Sequence, residues 1–408
     1  MVGIEQSHDR VIWLMIALAL DLELDFSQFS CLVNGLVACL ENQRLADMCI
    51  SQPRLLRGIL QVLERSYSIE VDSDDVEILA QLRLKINRSL AEISGSSGFI
   101  EHYTLDSPLS HTLMSWLRNN NQGKEQLQIC SCLILGNLAR TNEVCQRMVT
   151  EYNIHRDLIA ILNTPDASDA VLHAALGFLK NLAVPAHSKA PLADAGIIPS
   201  ASRLWASVMP QVQFSAATLV RQVTTSSMQN ISRLLAAADD GDDTSSTYLS
   251  RLLCLFEKTD SDPIKIDIGR TIVSILRTLI PKTRAGDQEA VSLYHRLVDL
   301  HRHVALPIGA MLVQTQWPVV RSEGWFALAL MASTTLGSTA VVDCLVDVPD
   351  ASKLLADVLE ADIPQGVEQG DRSWIMKDRD NAIILIKGLL ENAVRKSKHL
   401  LFEISILS

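Results

Sequence analysis

Aromatic residues are scarce in this chain: Trp, Tyr and Phe together make up 5% of its 408 residues. A core without many rings is built from Leu, Ala, Ile and Val, which favours packed helices over an aromatic-rich β sandwich. Period-2 alternation of any length is also missing, so an all-α chain is expected. Among the eight cysteines no C-x-x-C pair has a matching Cys or His pair downstream, which argues against structural zinc. Most of these cysteines sit among apolar helical neighbours and read as small hydrophobes in a reduced, cytoplasmic compartment. Excess positive charge is lacking: the formal charge is −11, which speaks against a nucleic-acid binder and suits a basic partner. The longest apolar run, Val11–Leu20, is too short to span a bilayer, and Asp21, Glu23 and Asp25 follow it directly. Acids before that run are wrong for a secretory signal. The stretch VIWLMIALALDLELDF (11–26) is therefore expected to be a buried helix of a larger stack, with no direct membrane insertion.

Catalytic signatures are absent as well. There is no P-loop, G-x-G-x-x-G, G-x-S-x-G or H-E-x-x-H pattern, and hence no implied cofactor. The closest histidine cluster, His295 with His301-Arg302-His303, has no carboxylate or Cys at ligand spacing and reads as a solvated helix end rather than a metal site.

What the chain does have is repetition. HAALGFLKNLA (173–183) restates ICSCLILGNLA (129–139) at a distance of 44 residues. VQFSAATLVRQVT (212–224), IGRTIVSILRTLI (268–280), RSEGWFALALMAS (321–333) and NAIILIKGLLENA (381–393) continue the series. SCLVNGLVACLEN (30–42) and ILAQLRLKINRSLAEIS (78–94) fit more loosely upstream. Between these helices lie a short helix, a turn (near Asn153, and at Ala195–Gly196) and a second amphipathic helix. Three helices at a period of about 40 residues are the mark of an armadillo unit. Such units bury their faces only by stacking. The expectation is one right-handed armadillo α-solenoid (a superhelix) over 1–408. Its repeats are divergent over 1–108 and best defined over 109–235; an acidic loop over 236–250 precedes C-terminal repeats over 251–408.

On the quoted helices Ala175, Leu179 and Leu182 fall at core spacing, and Asn181 and Gly177 share the opposite face. Equivalent positions along the third helices carry Gly136/Asn137, Lys180/Asn181, Arg221/Gln222 and Arg277/Thr278, with Arg140 near the same surface. An Asn amide both donates and accepts, which suits either a partner's backbone or a bridge to the neighbouring repeat. Lys180, Arg221 and Arg277 add positive charge there. No Trp stands one turn before Asn137 or Asn181, where Leu133 and Gly177 are found instead, and this departs from grooves that read nuclear localisation signals. The acids Asp239, Asp240, Asp242 and Asp243 form a candidate contact for a basic tail.

LSHTLMSWLRNNN, LILGNLARTNEVCQRMV, VLHAALGFLKNLAVPAHSKAPLADAGI and MPQVQFSAATLVR, all within 109–235, resemble in order and spacing the small-GTPase GDP dissociation stimulator family (SmgGDS). ENQRLADMCISQPRLLRGILQVLE (41–64) and WFALALMASTTLGSTA (325–340) look like further repeats of it. The resemblance implies a non-conventional guanine-nucleotide exchange factor for Rho- or Rap-like GTPases, with no chemical catalysis. It also implies a GTPase-binding groove at Asn137, Arg140, Lys180, Asn181, Arg221 and Gln222. Family members carry several more repeats before the region matching residue 1, and prenylated-tail recognition is linked to those repeats, so it is not implied for this chain. A peptide-binding scaffold, or a GTPase chaperone without exchange activity, is the alternative.

Overall fold

The computed structural model describes residues 2–118, 123–238, 246–314, 317–360 and 369–407. These residues are helical throughout, apart from short turns and one isolated antiparallel bridge between Ala237 and Thr247. The chain divides into two compact units, Met1–Ser188 and Lys189–Ser408.

The first unit opens with α1 (Val2–Ala19) and α2 (Phe26–Glu41). Three triplets follow: α3 (Gln43–Ser51), α4 (Pro53–Arg65) and α5 (Val76–Ser94); α6 (Ser97–His102), α7 (Pro108–Arg118) and α8 (Glu125–Leu138); α9 (Asn142–Thr150), α10 (Ile154–Leu162) and α11 (Asp169–Leu182). The second unit holds four triplets. They are α12 (Lys189–Asp194), α13 (Ile197–Arg203) and α14 (Pro210–Thr224); α15 (Met228–Leu234), α16 (Tyr248–Lys258) and α17 (Asp262–Arg284); α18 (Gln288–Leu300), α19 (Leu306–Leu312) and α20 (Pro318–Ala332); α21 (Thr335–Asp347), α22 (Ala351–Glu360) and α23 (Gln369–Leu407). This is an all-α fold of armadillo-type repeats.

Local chemistry punctuates the triplets. At several joints where a third helix gives way to the next first helix, one extended residue caps the new helix with its side chain. Asn42 accepts from the Leu45 amide, Thr141 from Val144, Ser227 from Asn230 and Thr334 from Gly337. Between first and second helices the chain turns through the left-handed region, at Asn153 (φ 55°) and at Gly196 (φ 87°), residues that tolerate that region best. The third helices pack on one another in sequence: α2, α5, α8 and α11 in the first unit, and α14, α17, α20 and α23 in the second. The inner members of each series, α5, α8, α17 and α20, therefore have a third helix on two sides. Ala175, Leu179 and Leu182 of α11 are fully buried, as their spacing requires.

The N-terminal helix departs from expectation. Ile12, Ile16 and Ala19 of α1 are buried, but Val11, Trp13, Leu14 and Leu18 are exposed, so only one face of 11–26 enters the stack. Among the described residues no helix is long and apolar enough to cross a membrane.

Candidate functional site

The last turn of an α-helix leaves backbone carbonyls without intrahelical donors. In the first unit side chains of the next third helix donate to carbonyls of this last turn, including that of Ala91, which the Gly95 amide also reaches. The Asn137 amide of α8 donates to the Ala91 carbonyl of α5 (3.1 Å) and to Ser94 Oγ (2.9 Å). Forty-four residues on, the Asn181 amide of α11 donates to the Gly136 carbonyl of α8 (2.9 Å). Arg140 adds a guanidinium hydrogen bond to the Gly95 carbonyl at the end of α5. The second unit repeats the device at its last rung, where buried Asn392 of α23 donates to the Ala332 carbonyl of α20 (2.8 Å). Of the two roles the sequence leaves open for Asn137 and Asn181, the bridge between repeats is thus formed. Asn181 remains exposed and Asn137 half-buried, with half-buried Lys180 beside Asn181.

The second unit links its third helices mainly by charge. Arg221 Nε of α14 donates to Asp267 Oδ1 of α17 (2.8 Å), Arg270 of α17 to Glu323 of α20 (2.8 Å), and Arg321 of α20 to Asp378 of α23 (2.9 Å). Asp267 and Asp378 are buried. Burial pushes the Asp267 carboxyl above the usual carboxylate range, and the Arg221 charge opposes that rise. The charge read from the sequence at Arg221 is therefore compensated inside the protein, because the stacking register brings an acid 46 residues away against it. Gln222 is half-buried, and its Oε1 has no hydrogen-bond partner among the described residues.

Sequence reasoning missed the acids of these rungs, together with Arg270 and Arg321. A signal was present: Arg221, Arg270 and Arg321 recur at steps of 49 and 51 residues, and Asp267, Glu323 and Asp378 at steps of 56 and 55. Of these residues Arg221, Arg270 and Glu323 border a cleft of about 750 Å³ between α14, α17 and α20, lined also by Ser274, Arg277 and Lys282 among others.

His301 corrects another expectation. It is buried rather than solvated, with one ring nitrogen on the Leu297 carbonyl (2.9 Å) and the other on the Thr247 hydroxyl (2.7 Å). No group of three or more His, Cys, Asp or Glu among the described residues is arranged to hold a metal ion. Burial pushes the Cys132 and Cys344 thiols up to about 12, so neither is a thiolate at neutral pH. The acids Asp239, Asp240, Asp242 and Asp243 lie outside the described residues.

No family model matches the chain. Among solved structures, Uso1-2 superposes with a TM-score of 0.58 at 15% identity, over 98% of this chain and 64% of that one, a likeness of fold alone. Among curated proteins, Rap1 GTPase-GDP dissociation stimulator 1-A of Xenopus laevis is 29% identical over 178 residues, 43% of this chain and 28% of the relative. The GTPase-GDP dissociation stimulator vimar of Drosophila melanogaster is 24% identical over 196 residues, 44% of this chain and 29% of the relative. The chain thus spans less than a third of the length of the curated relatives it matches. Over 43% of its own length it is similar in sequence to GDP dissociation stimulators of small GTPases.

Proposed function

We propose that this chain stimulates GDP release from a small GTPase of Rho or Rap type, acting through the polar faces of its third helices. The observation that carries the reading is the 29% identity over 178 residues with a Rap1 GTPase-GDP dissociation stimulator. A cytoplasmic location goes with such a partner.

Release of a bound nucleotide requires no bond to be made or broken by the protein. It requires a surface that holds the nucleotide-free conformer more tightly than the GDP-bound one. The third helices suit that task because hydrogen bonds between repeats hold them in fixed register, so a partner meets a preorganised surface. In the first unit the proposed contact residues are Asn137, Arg140, Lys180 and Asn181, and in the second Arg221 and Gln222. The two asparagines and both arginines serve the stack as well as the partner.

The test is release of labelled GDP from purified Rho, Rap and Ras proteins, with and without this chain. Accelerated release from one of them is expected. So is a complex that is tightest with the nucleotide-free GTPase and dissolves on adding GDP and magnesium, since linkage makes nucleotide and stimulator mutually antagonistic. Equal affinity for the empty, GDP-bound and GTP-bound forms would leave an interaction scaffold instead.

A further inference from the structure

The cleft of the second unit runs along α17 from Arg270 past Arg277 to Lys282, with Thr225 and Ser226 on its α14 side. Four cations line it against one acid, Glu323, although the chain as a whole carries a formal charge of −11. Arg221 and Arg270 each use one guanidinium N–H on an internal acid, and a guanidinium carries five. The other two cations have no acidic partner among the described residues. Arg277 lies 5.0 Å over the Phe326 ring, and Lys282 Nζ stands 2.9 Å from Met228 Sδ, a weak acceptor. Both residues are exposed.

The hydroxyls of the wall say which anion fits. Ser274 donates its proton to Thr225 Oγ1 (3.0 Å), Thr225 to the Arg221 carbonyl (2.7 Å) and Thr278 to the Ser274 carbonyl (2.9 Å). With their protons spent, these three groups offer lone pairs only, and exposed Ser226 is the one wall hydroxyl whose proton has no acceptor among the described residues. Lone pairs repel the oxygens of a compact phosphate but accept the N–H groups of a peptide backbone. Arg277 and Lys282 both line the cleft, roughly 7.5 Å apart in rise along α17 at about 1.5 Å per helical residue, while Arg270 lies about 10.5 Å beyond Arg277, further than one alternate step. Alternate residues of an extended chain are separated by about 6.6 Å.

We propose that this cleft binds an extended acidic segment of a partner protein, whose carboxylates at alternate positions meet Arg277 and Lys282 while Arg270 and Arg221 reinforce the potential. Arg221 is shared with the proposed GTPase contacts, but Arg277 and Lys282 are not, so peptide binding that depends on those two can fail or hold independently of GDP release.

The experiment is fluorescence anisotropy on the full chain with a fluorescein-labelled octapeptide of alternating Glu and Thr, set against its Lys–Thr counterpart. The acidic peptide is expected to bind and the basic one not, with affinity falling as salt rises. Arg277→Ala combined with Lys282→Ala is expected to weaken binding about tenfold, as the loss of two partly exposed ion pairs implies. Lys258→Ala, an exposed cation on α16 outside the cleft, is expected to change nothing. Circular dichroism checks that the variants fold, and the single Lys282→Gln variant is expected to weaken binding about threefold if the double variant does not. Equal binding of both peptides, or an unchanged affinity in the cleft variants, would overturn the proposal. So would displacement by inorganic pyrophosphate, at constant ionic strength, as effective as displacement by unlabelled acidic peptide, which would make this a small-anion site.

Discussion

Asn392 and Ala332 stand 60 residues apart, and the amide of one donates to the carbonyl of the other at 2.8 Å. Gly388, one turn before Asn392, lets this happen: a Cβ there would lie 2.8 Å from the same Ala332 oxygen. Close approach and hydrogen bond belong to one arrangement of α23 on α20. Gly388→Ala is expected to push the helices apart and to cost about 1–3 kcal/mol, read as a lower urea midpoint. An unchanged midpoint would mean that α23 shifts without resistance.

Asn181 plays the corresponding part in the first unit, from an exposed position. Asn181→Ala is expected to lose about 1 kcal/mol with the bridge to Gly136. The neighbouring Leu182→Ala is expected to lose roughly 2–5 kcal/mol through a core cavity. Chemical denaturation of both variants separates the surface bridge from the packed face. The same Asn181 variant, added to the GDP-release assay, tells whether the exposed side of the residue also meets a GTPase.

Arg221 and Arg277 lie on the same cleft but are expected to behave differently. Arg221→Ala leaves buried Asp267 without its cation, and a loss of roughly 1–3 kcal/mol follows; Arg277 is exposed, so Arg277→Ala is expected to stay within about 0.5 kcal/mol. The pH dependence carries a sign. The Asp267 carboxyl is already raised by burial, so the folded state holds its proton more tightly than the unfolded chain. Stability at this site is greatest below the ordinary carboxylate range and falls as pH rises toward the raised value. Arg221→Ala widens that window upward. Denaturation at pH 5 and pH 7 should therefore show a larger loss between the two in the variant than in the parent, and adding Asp267→Asn should abolish the difference.

His301 gives the opposite slope. A carbonyl acceptor at Leu297 holds the ring proton on Nδ1, so Nε2 accepts from the Thr247 hydroxyl. Burial lowers the pKa of the ring from its ordinary value of 6.5. The unfolded chain then takes up a proton as pH falls through 6.5 while the folded one does not, and stability declines from there down toward the lowered folded value. Melting curves at pH 7.5 and 5.5 should show that decline, and His301→Gln should flatten it. A parallel decline in the variant would assign the effect to His155, whose pKa burial lowers as well.

Much of the fold is legible in the sequence because the third helices are apolar on two sides. The stretches 129–139, 173–183 and 212–224 fall within α8, α11 and α14 almost residue for residue. α17 runs further than its apolar stretch 268–280 suggests, because its last turn carries Lys282 and Arg284 rather than core residues. The face of α1 is half misread, since an unbroken apolar run does not tell which of its residues meet a neighbour. The asparagines are legible as a recurring feature, but an amide suits a bridge and a partner equally well. The arginine–acid rungs are hidden for a different reason. Their members lie 46 to 57 residues apart, and only the stacking register of the third helices brings them together.

Asn137, Asn181 and Asn392 each reach from the later third helix to a main-chain carbonyl on the earlier one. A carbonyl is present whatever residue occupies the position. At these three joints the carbonyl bond survives a change of residue on the earlier helix, provided the later helix keeps its Asn. Tolerance there is lopsided, whereas the arginine–acid rungs constrain a side chain on both helices. The asparagine joints are thus the places where the outward-facing residues of one repeat can change without a matching change in the next.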